Sequence, residues 1–363
     1  MDPRKKWWPH AVAILCFIVH PMLAEDFVPQ DQTVATSPDS QLLVRLAPLD
    51  SSAKYPPVVT ALGCSEDGTW LLAAGDDHAL RIVQQSNGKT LETLIGHTDW
   101  VQSVAIVKED RLILSCSKDC TLRLWFASEQ WTSQILHKGN VALMALAVDA
   151  SSQYVACAGF GPDIWIYSLE DGSLVKTLTS ECSDQRAITF SSDGRRIACG
   201  GRDGVIRVWD WQSDQKPIEQ ALHHDRIRSI SFSDNDSVVS TVGEDRHFVR
   251  YQLNSGQVLI DRKIIGGRLM SMATIDSETI AVAGSDNTIR LIEVASGTEF
   301  NRLVGHDGTV AVMVRSGNLL VSGSFDTTIR TWDLSRAMKK NSGKYEHPVS
   351  ARFQDSGAGE AVR

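Results

Sequence analysis

The chain lacks the features that announce common chemistries. It has no excess of positive charge: 36 Lys and Arg stand against 44 Asp and Glu, a formal charge of −8. Nucleic-acid binding by a generic basic footprint is therefore excluded, because phosphate contacts need lysine and arginine in surplus. There are only seven cysteines. None forms a C-x-x-C-H haem attachment site, and none is spaced with histidine as a zinc site would require. No glycine-rich phosphate loop and no acidic calcium loop occurs. The one long apolar run, Ala11–Val19, is bracketed by His10 and His20. It is shorter than the ~20 residues that span a bilayer.

What the chain has is a repeat. Asp77, Asp119, Asp203, Asp245, Asp286 and Asp326 each mark one copy, and Gly161 holds the equivalent place in copy 3. Successive markers are 42, 42, 42, 42, 41 and 40 residues apart. A period of about 40–45 residues is that of a four-stranded propeller blade. Two residues before each marker the side chain is small: Gly75, Ser117, Gly159, Gly201, Gly243, Gly284 and Ser324. Such positions suit a close approach of backbone groups at a tight turn. Four residues after the marker an arginine recurs, as Arg81, Arg123, Arg207, Arg290 and Arg330, between apolar neighbours. That alternation is the pattern of a strand. Six residues after the marker stand Trp125, Trp209 or Trp332, with Tyr167 and Tyr251 as aromatic substitutes. Gly96-His97 and Gly305-His306 lie upstream, and Asp210 and Asp333 follow two of the tryptophans.

These motifs, covering residues 41–334, resemble those of the WD-repeat family. The resemblance implies an all-β fold: a seven-bladed β-propeller of four-stranded antiparallel blades. In that family each repeat supplies the outer strand of one blade and three inner strands of the next. No repeat follows Trp332, so the last blade needs an outer strand from elsewhere. Leu42–Leu46 resembles a later outer strand, Leu91–Leu94. It is expected to close the ring from the N-terminal side and so remove two exposed strand edges.

The ends have different compositions. Arg4-Lys5-Lys6, the short apolar run and Ala24 before Glu25 read as a signal peptide over residues 1–24. Export to the periplasm or the cell exterior is the expected localisation. A membrane anchor over residues 7–24 is the alternative, and a cytoplasmic scaffold follows if the segment is not cleaved. Residues 25–40 read as a flexible lead-in, and 335–363 as a disordered tail without apolar periodicity. Cys157 and Cys199 occupy the strand position of Ser115 and Ser322, as small buried residues. Cys116 and Cys120 flank one marker turn and are expected near one another across strands.

Copies 2 and 7 each hold a serine, a histidine, an aspartate and a tryptophan: Ser115, His97, Asp119 and Trp125, then Ser322, His306, Asp326 and Trp332. On paper the first three residue types are those of a hydrolase triad. The family resemblance implies instead a structural hydrogen-bond chain inside each blade, since a buried indole N–H and a buried hydroxyl need partners. Copy 5 holds a partial version in His223, Thr241, Asp245 and Tyr251, and the remaining copies are expected to rely on apolar packing. Ser65–Trp70 comes within one residue of the aspartate box of sialidase propellers, and reads as an Asp-Gly hairpin turn.

Propellers usually bind partners on the face carrying the marker turns. Residues just before the markers, and those three after the copies' histidines, supply the candidates: Trp100, Lys118, Phe160, Arg202, Arg226 and Phe325. Aromatic residues and arginine dominate interface energetics. The function expected is a non-enzymatic interaction scaffold for a protein or peptide, a monomeric ring without cofactor, metal, nucleic acid or mature membrane span. The rival is a cofactor-binding or glycan-hydrolysing propeller.

Overall fold

A computed structural model describes residues 40–49, 54–107, 111–127 and 131–338. The expected signal peptide and nearly all of the lead-in lie outside the described residues, as does the tail from residue 339. Seven antiparallel four-stranded sheets follow one another. In six of them four consecutive strands pair in chain order. The innermost strands are Val59–Cys64, Val101–Val107, Leu143–Val148, Gln185–Phe190, Ile227–Ser233, Leu269–Thr274 and Val310–Ser316. Each touches the next, and the seventh touches the first, so they form a closed ring around a channel. The seventh sheet takes its outer strand from the N-terminal side, where Ser40–Arg45 pairs with Thr328–Asp333 in antiparallel register, Ser40 opposite Trp332 and Arg45 opposite Thr328. Leu46 continues the pairing with a bond from its N–H to the Thr327 carbonyl, 3.0 Å.

Burial peaks in the second strands, with the channel-lining innermost strands half-buried and the outer strands mostly exposed. The second strands Leu112–Ser117, Val238–Gly243 and Thr279–Gly284 are buried at every residue. Outer strands such as Thr90–Leu94 and Gln257–Lys263 are mostly exposed. Period-2 patterning therefore does not separate core from solvent in the middle strands, because both faces of each blade pack on neighbouring blades. One such seam joins Leu46 from the closing strand to Val59, Leu62 and Leu71 of blade 1 and to Val321 and Ile329 of blade 7.

The small residues before the markers answer to a close approach. A Cβ at Gly284 would sit 1.8 Å from the Arg268 carbonyl oxygen. Where serine replaces glycine its hydroxyl joins the turn: Ser117 Oγ donates to the Asp99 carbonyl (2.9 Å) and accepts from the Asp119 N–H (3.0 Å). The residue after the marker takes a left-handed φ in six copies: His78, Cys120, Gly204, Arg246, Asn287 and Thr327. The exception is Pro162, whose ring holds φ near −65°. This is the physical reason that copy 3 departs from the pattern.

The tail is ordered further than its composition suggests. Leu334–Ala337 forms a short helix capped by Asp333, and Leu334 and Ala337 are buried. Asn301 holds its end by donating to the Ala337 carbonyl, 2.7 Å. The two apolar residues sit three apart, enough for one turn to seal the bottom of a seam, but too brief to register as periodicity.

Candidate functional site

In blade 2, His97 Nδ1 lies 2.8 Å from Asp119 Oδ2 and Nε2 lies 2.7 Å from Ser115 Oγ. Trp125 Nε1 donates to the same Ser115 oxygen, 2.8 Å. The carboxylate can only accept, so Nδ1 carries the proton, Nε2 accepts from the Ser115 hydroxyl, and that hydroxyl accepts from the indole. Blade 7 repeats the chain through His306, Asp326, Ser322 and Trp332, with distances of 2.8, 2.7 and 2.8 Å. Blade 5 keeps His223 between Asp245 and Thr241, at 2.9 and 2.8 Å. The proton arrangement matches a hydrolase triad, but Ser115 and Ser322 are completely buried and their oxygens already engaged by tryptophan. Substrate has no path to either hydroxyl.

The three aspartates are acid-strengthened. Burial alone would raise their pKa values, but hydrogen bonds outweigh it. His97, Thr121 and the Thr98 N–H hold Asp119 well below the usual carboxylate range. His306, Thr328 and the Asp307 N–H do the same for Asp326. His223 and the N–H groups of His247 and His224 bring Asp245 down to about 2.

Blades 1, 4 and 6 do not rely on apolar packing alone, contrary to the sequence expectation. There the arginine four residues on turns back to the marker: Arg81 to Asp77 at 2.5 Å, Arg207 to Asp203 at 2.8 Å, and Arg290 to Asp286. These arginines are nearly as buried as the core. Blade 3, lacking the aspartate, packs His137 on Trp165 with ring centroids 4.4 Å apart and bonds it to the Tyr167 hydroxyl at 2.7 Å. Cys116 faces Leu122 across its strand pair rather than Cys120, and both are free thiols, as are Cys157, Cys182 and Cys199.

The marker-turn face surrounds one mouth of the channel. In blades 2 to 7 the residue before the marker bonds through its N–H to the start of the innermost strand: Lys118 to the Trp100 carbonyl, Phe160 to Ala142, Arg202 to Asp184, Glu244 to Arg226, Ser285 to Arg268 and Phe325 to Thr309. In blade 3 this partner is Ala142, two residues beyond the Asn140 that histidine spacing suggests. Trp100 and Phe325 are both exposed, at 37% and 42%, and both line the channel cavity of about 330 Å³. Lys118 Nζ sits 3.9 Å from the Trp100 ring centroid. Phe160 is exposed and carries the Arg186 guanidinium 4.7 Å from its centroid. Arg202 is exposed. Arg226 is tied down, 3.1 Å from Asp184 and 3.3 Å from Glu244.

Sequence reasoning passed over Arg186 and Arg228, which among the described residues are the only charged ones lining the cavity. The signal was available. They stand 17 residues before their markers, where copies 1, 2 and 3 carry Thr60, Gln102 and Met144.

Ring, closure and marker-turn chemistry together define a WD-repeat β-propeller. The chain belongs to the family described as the IFT122 first beta-propeller, whose model matches residues 58–333. Among similar curated proteins, Autophagy-related protein 16 of Arabidopsis thaliana is 23% identical over 235 residues, covering 62% of this chain and 46% of that protein. Nuclear distribution protein PAC1 of Arthroderma otae is 27% identical over 286 residues, 74% of this chain and 57% of its own. Pre-mRNA-processing factor 19 homolog 2 of Arabidopsis thaliana is 24% identical over 290 residues, 75% and 53%. The chain thus spans about half the length of the curated relatives it matches. No helix among the described residues is long and apolar enough to cross a membrane.

Proposed function

We propose that the protein is a non-enzymatic scaffold whose marker-turn face binds a protein or peptide, with Trp100 and Phe325 as anchors and Lys118, Phe160, Arg202 and Arg226 around them. One observation carries the reading: two large aromatics from blades 2 and 7 are exposed at the mouth of a single channel. Exposed aromatics with a well-packed surround are the residues on which binding energy concentrates. The burial of both triad-like serines supports the non-enzymatic half. The WD-repeat relatives add the same class. The test compares wild type with the double change Trp100→Ala and Phe325→Ala in affinity capture from the native extract, quantified by mass spectrometry. Partners captured by wild type should be lost by about tenfold or more from the variant, the loss of a true hot spot. Equal capture at equal melting temperature moves the interface off this face.

The segment Arg4–Ala24 extends the proposal to export, supported by its basic start, short apolar run and small residue before Glu25. A second reading, a scaffold of a reducing compartment, is favoured by the free thiols of Cys116, Cys120, Cys157, Cys182 and Cys199, since exported proteins usually pair theirs. Sequencing the N-terminus of protein from its native host separates the two: a start near Glu25 supports export, and Met1 in the cytosolic fraction ends it.

A further inference from the structure

The channel mouth is chemically lopsided. Trp100 and Phe325, from blades 2 and 7, contribute aromatic surface, while Arg186 and Arg228, from blades 4 and 5, contribute its only charge among the described residues. Behind them lies an arginine cluster short of carboxylates. Arg186 and Arg226 share Asp184, at 2.5 and 3.1 Å, and Arg226, Arg228 and Arg268 share Glu244, at 3.3, 3.7 and 3.4 Å. Four guanidinium groups are thus served by two carboxylates. The rim also carries Asp99 and Asp225, but each is engaged by a backbone N–H, of Trp100 and of Arg226. Neither lines the cavity.

From this arrangement we infer that the channel mouth recognises an acidic peptide segment, seating an aspartate or glutamate carboxylate between Arg186 and Arg228 and a neighbouring apolar side chain on Trp100 and Phe325. This rests on the proposal that the marker-turn face is the binding face. Arginine offers paired donors to a carboxylate, and charge-assisted bonds are the stronger kind. Burial, and then the nearby Arg186 charge, bring the Arg228 pKa down to about 10. An arriving carboxylate supplies the missing countercharge. A nucleic acid fits the same arginines poorly, because the chain as a whole carries −8 and repels a polyanion. A single side chain inserted in the mouth meets the local field rather than the net one.

A random dodecapeptide display library panned on the full chain tests the inference. Selected peptides, resynthesised with acetylated and amidated ends, are titrated by calorimetry against wild type, Arg186→Gln with Arg228→Gln, and Trp100→Ala with Phe325→Ala. Enrichment should give Asp or Glu next to an aromatic or aliphatic residue. The arginine variant should weaken binding by about tenfold or more, the loss of one or two charge-assisted bonds. Replacing the peptide's acid by its amide should have the same effect on wild type and little on the arginine variant. Should the double glutamine variant fold poorly, Arg186→Gln alone serves, since Arg226 still pairs Asp184. Selected peptides that are neutral or basic, or that bind the arginine variant undiminished, overturn the inference. If they nevertheless lose binding in the aromatic variant, the face stands and only the acidic ligand falls. Peptides unaffected by either variant, or no enrichment at all, overturn both.

Discussion

Closure of the ring through the N-terminal strand can be weighed with two leucines four residues apart. Leu46 is 1% exposed and sits in the seam between blades 7 and 1, whereas Leu42 in the same segment is 53% exposed. Truncating Leu46 to alanine removes three buried carbons and leaves a cavity among Val59, Leu71 and Ile329. Comparable core leucines lose about 3 kcal/mol. For a domain of this size each kcal/mol moves the melting temperature by about 2 °C, so Leu46→Ala should lower it by about 6 °C. Leu42→Ala should shift it by about 1 °C or less, since the side chain is already in water. Deleting 41–46 should cost more than Leu46→Ala, because it also exposes the edge of the strand ending at Asp333. Differential scanning calorimetry on the three proteins measures all of this. If Leu46→Ala and Leu42→Ala melt together, or the deletion melts with wild type, the closing strand does not carry the ring and the argument from edge protection fails.

Two further outcomes follow from the marker turns. His97→Ala should destabilise by about 1–3 kcal/mol in urea unfolding, because Ser115 and Asp119 lose a buried partner. Ser115→Ala should do likewise without removing any esterase or protease activity, and hydrolysis abolished in a folded Ser115→Ala protein would reverse the structural assignment. The acid limb of stability is set by Asp119, Asp245 and Asp326. Their folded pKa values lie below the ~3.9 of an unfolded aspartate, so their contribution is complete above that value and is lost as pH falls toward about 2. Circular-dichroism melts should therefore be flat from pH 7 to about 4.5 and fall below about 4; a decline beginning at pH 6 would place the controlling groups elsewhere.

Most of the ring was legible because the repeat forces it. Marker aspartates, small residues and tryptophans recur at fixed offsets, and each offset is a place in a blade. The closing strand was legible by bookkeeping of strands, since seven copies leave one outer strand missing. Three things were not. The burial of Arg81, Arg207 and Arg290 was hidden because alternation suggests one wet face, and a blade packed on both sides has none in its middle strands. The helix at Leu334–Ala337 was hidden because two apolar residues make no period. Arg186 and Arg228 were hidden because no repeat motif marks their position: the channel is lined two residues further along the innermost strands than the rim residues beside the markers.

The marker carboxylate shows why the repeat and the recognition surface use different positions. In every blade that has it, the aspartate is held by a cation or a proton donor, and in blades 2, 5 and 7 it is also largely drawn out of water. Blades 2, 5 and 7 supply a histidine from the preceding loop. Blades 1, 4 and 6 supply an arginine from their own third strand. In blade 1 that arginine also reaches back to the Ala47 carbonyl, 2.9 Å, in the segment that precedes the blade. Both solutions tie the marker turn to its surroundings, and neither draws on the channel-lining position. Threonine, glutamine, methionine and arginine all stand there, each at the bulge where the register of its strand shifts, so that none takes part in the ladder. A position the ring tolerates in so many chemistries is one where a charge can be placed for a ligand at little cost to folding. Two arginines side by side, in blades 4 and 5, are the one place in the channel where that has been done.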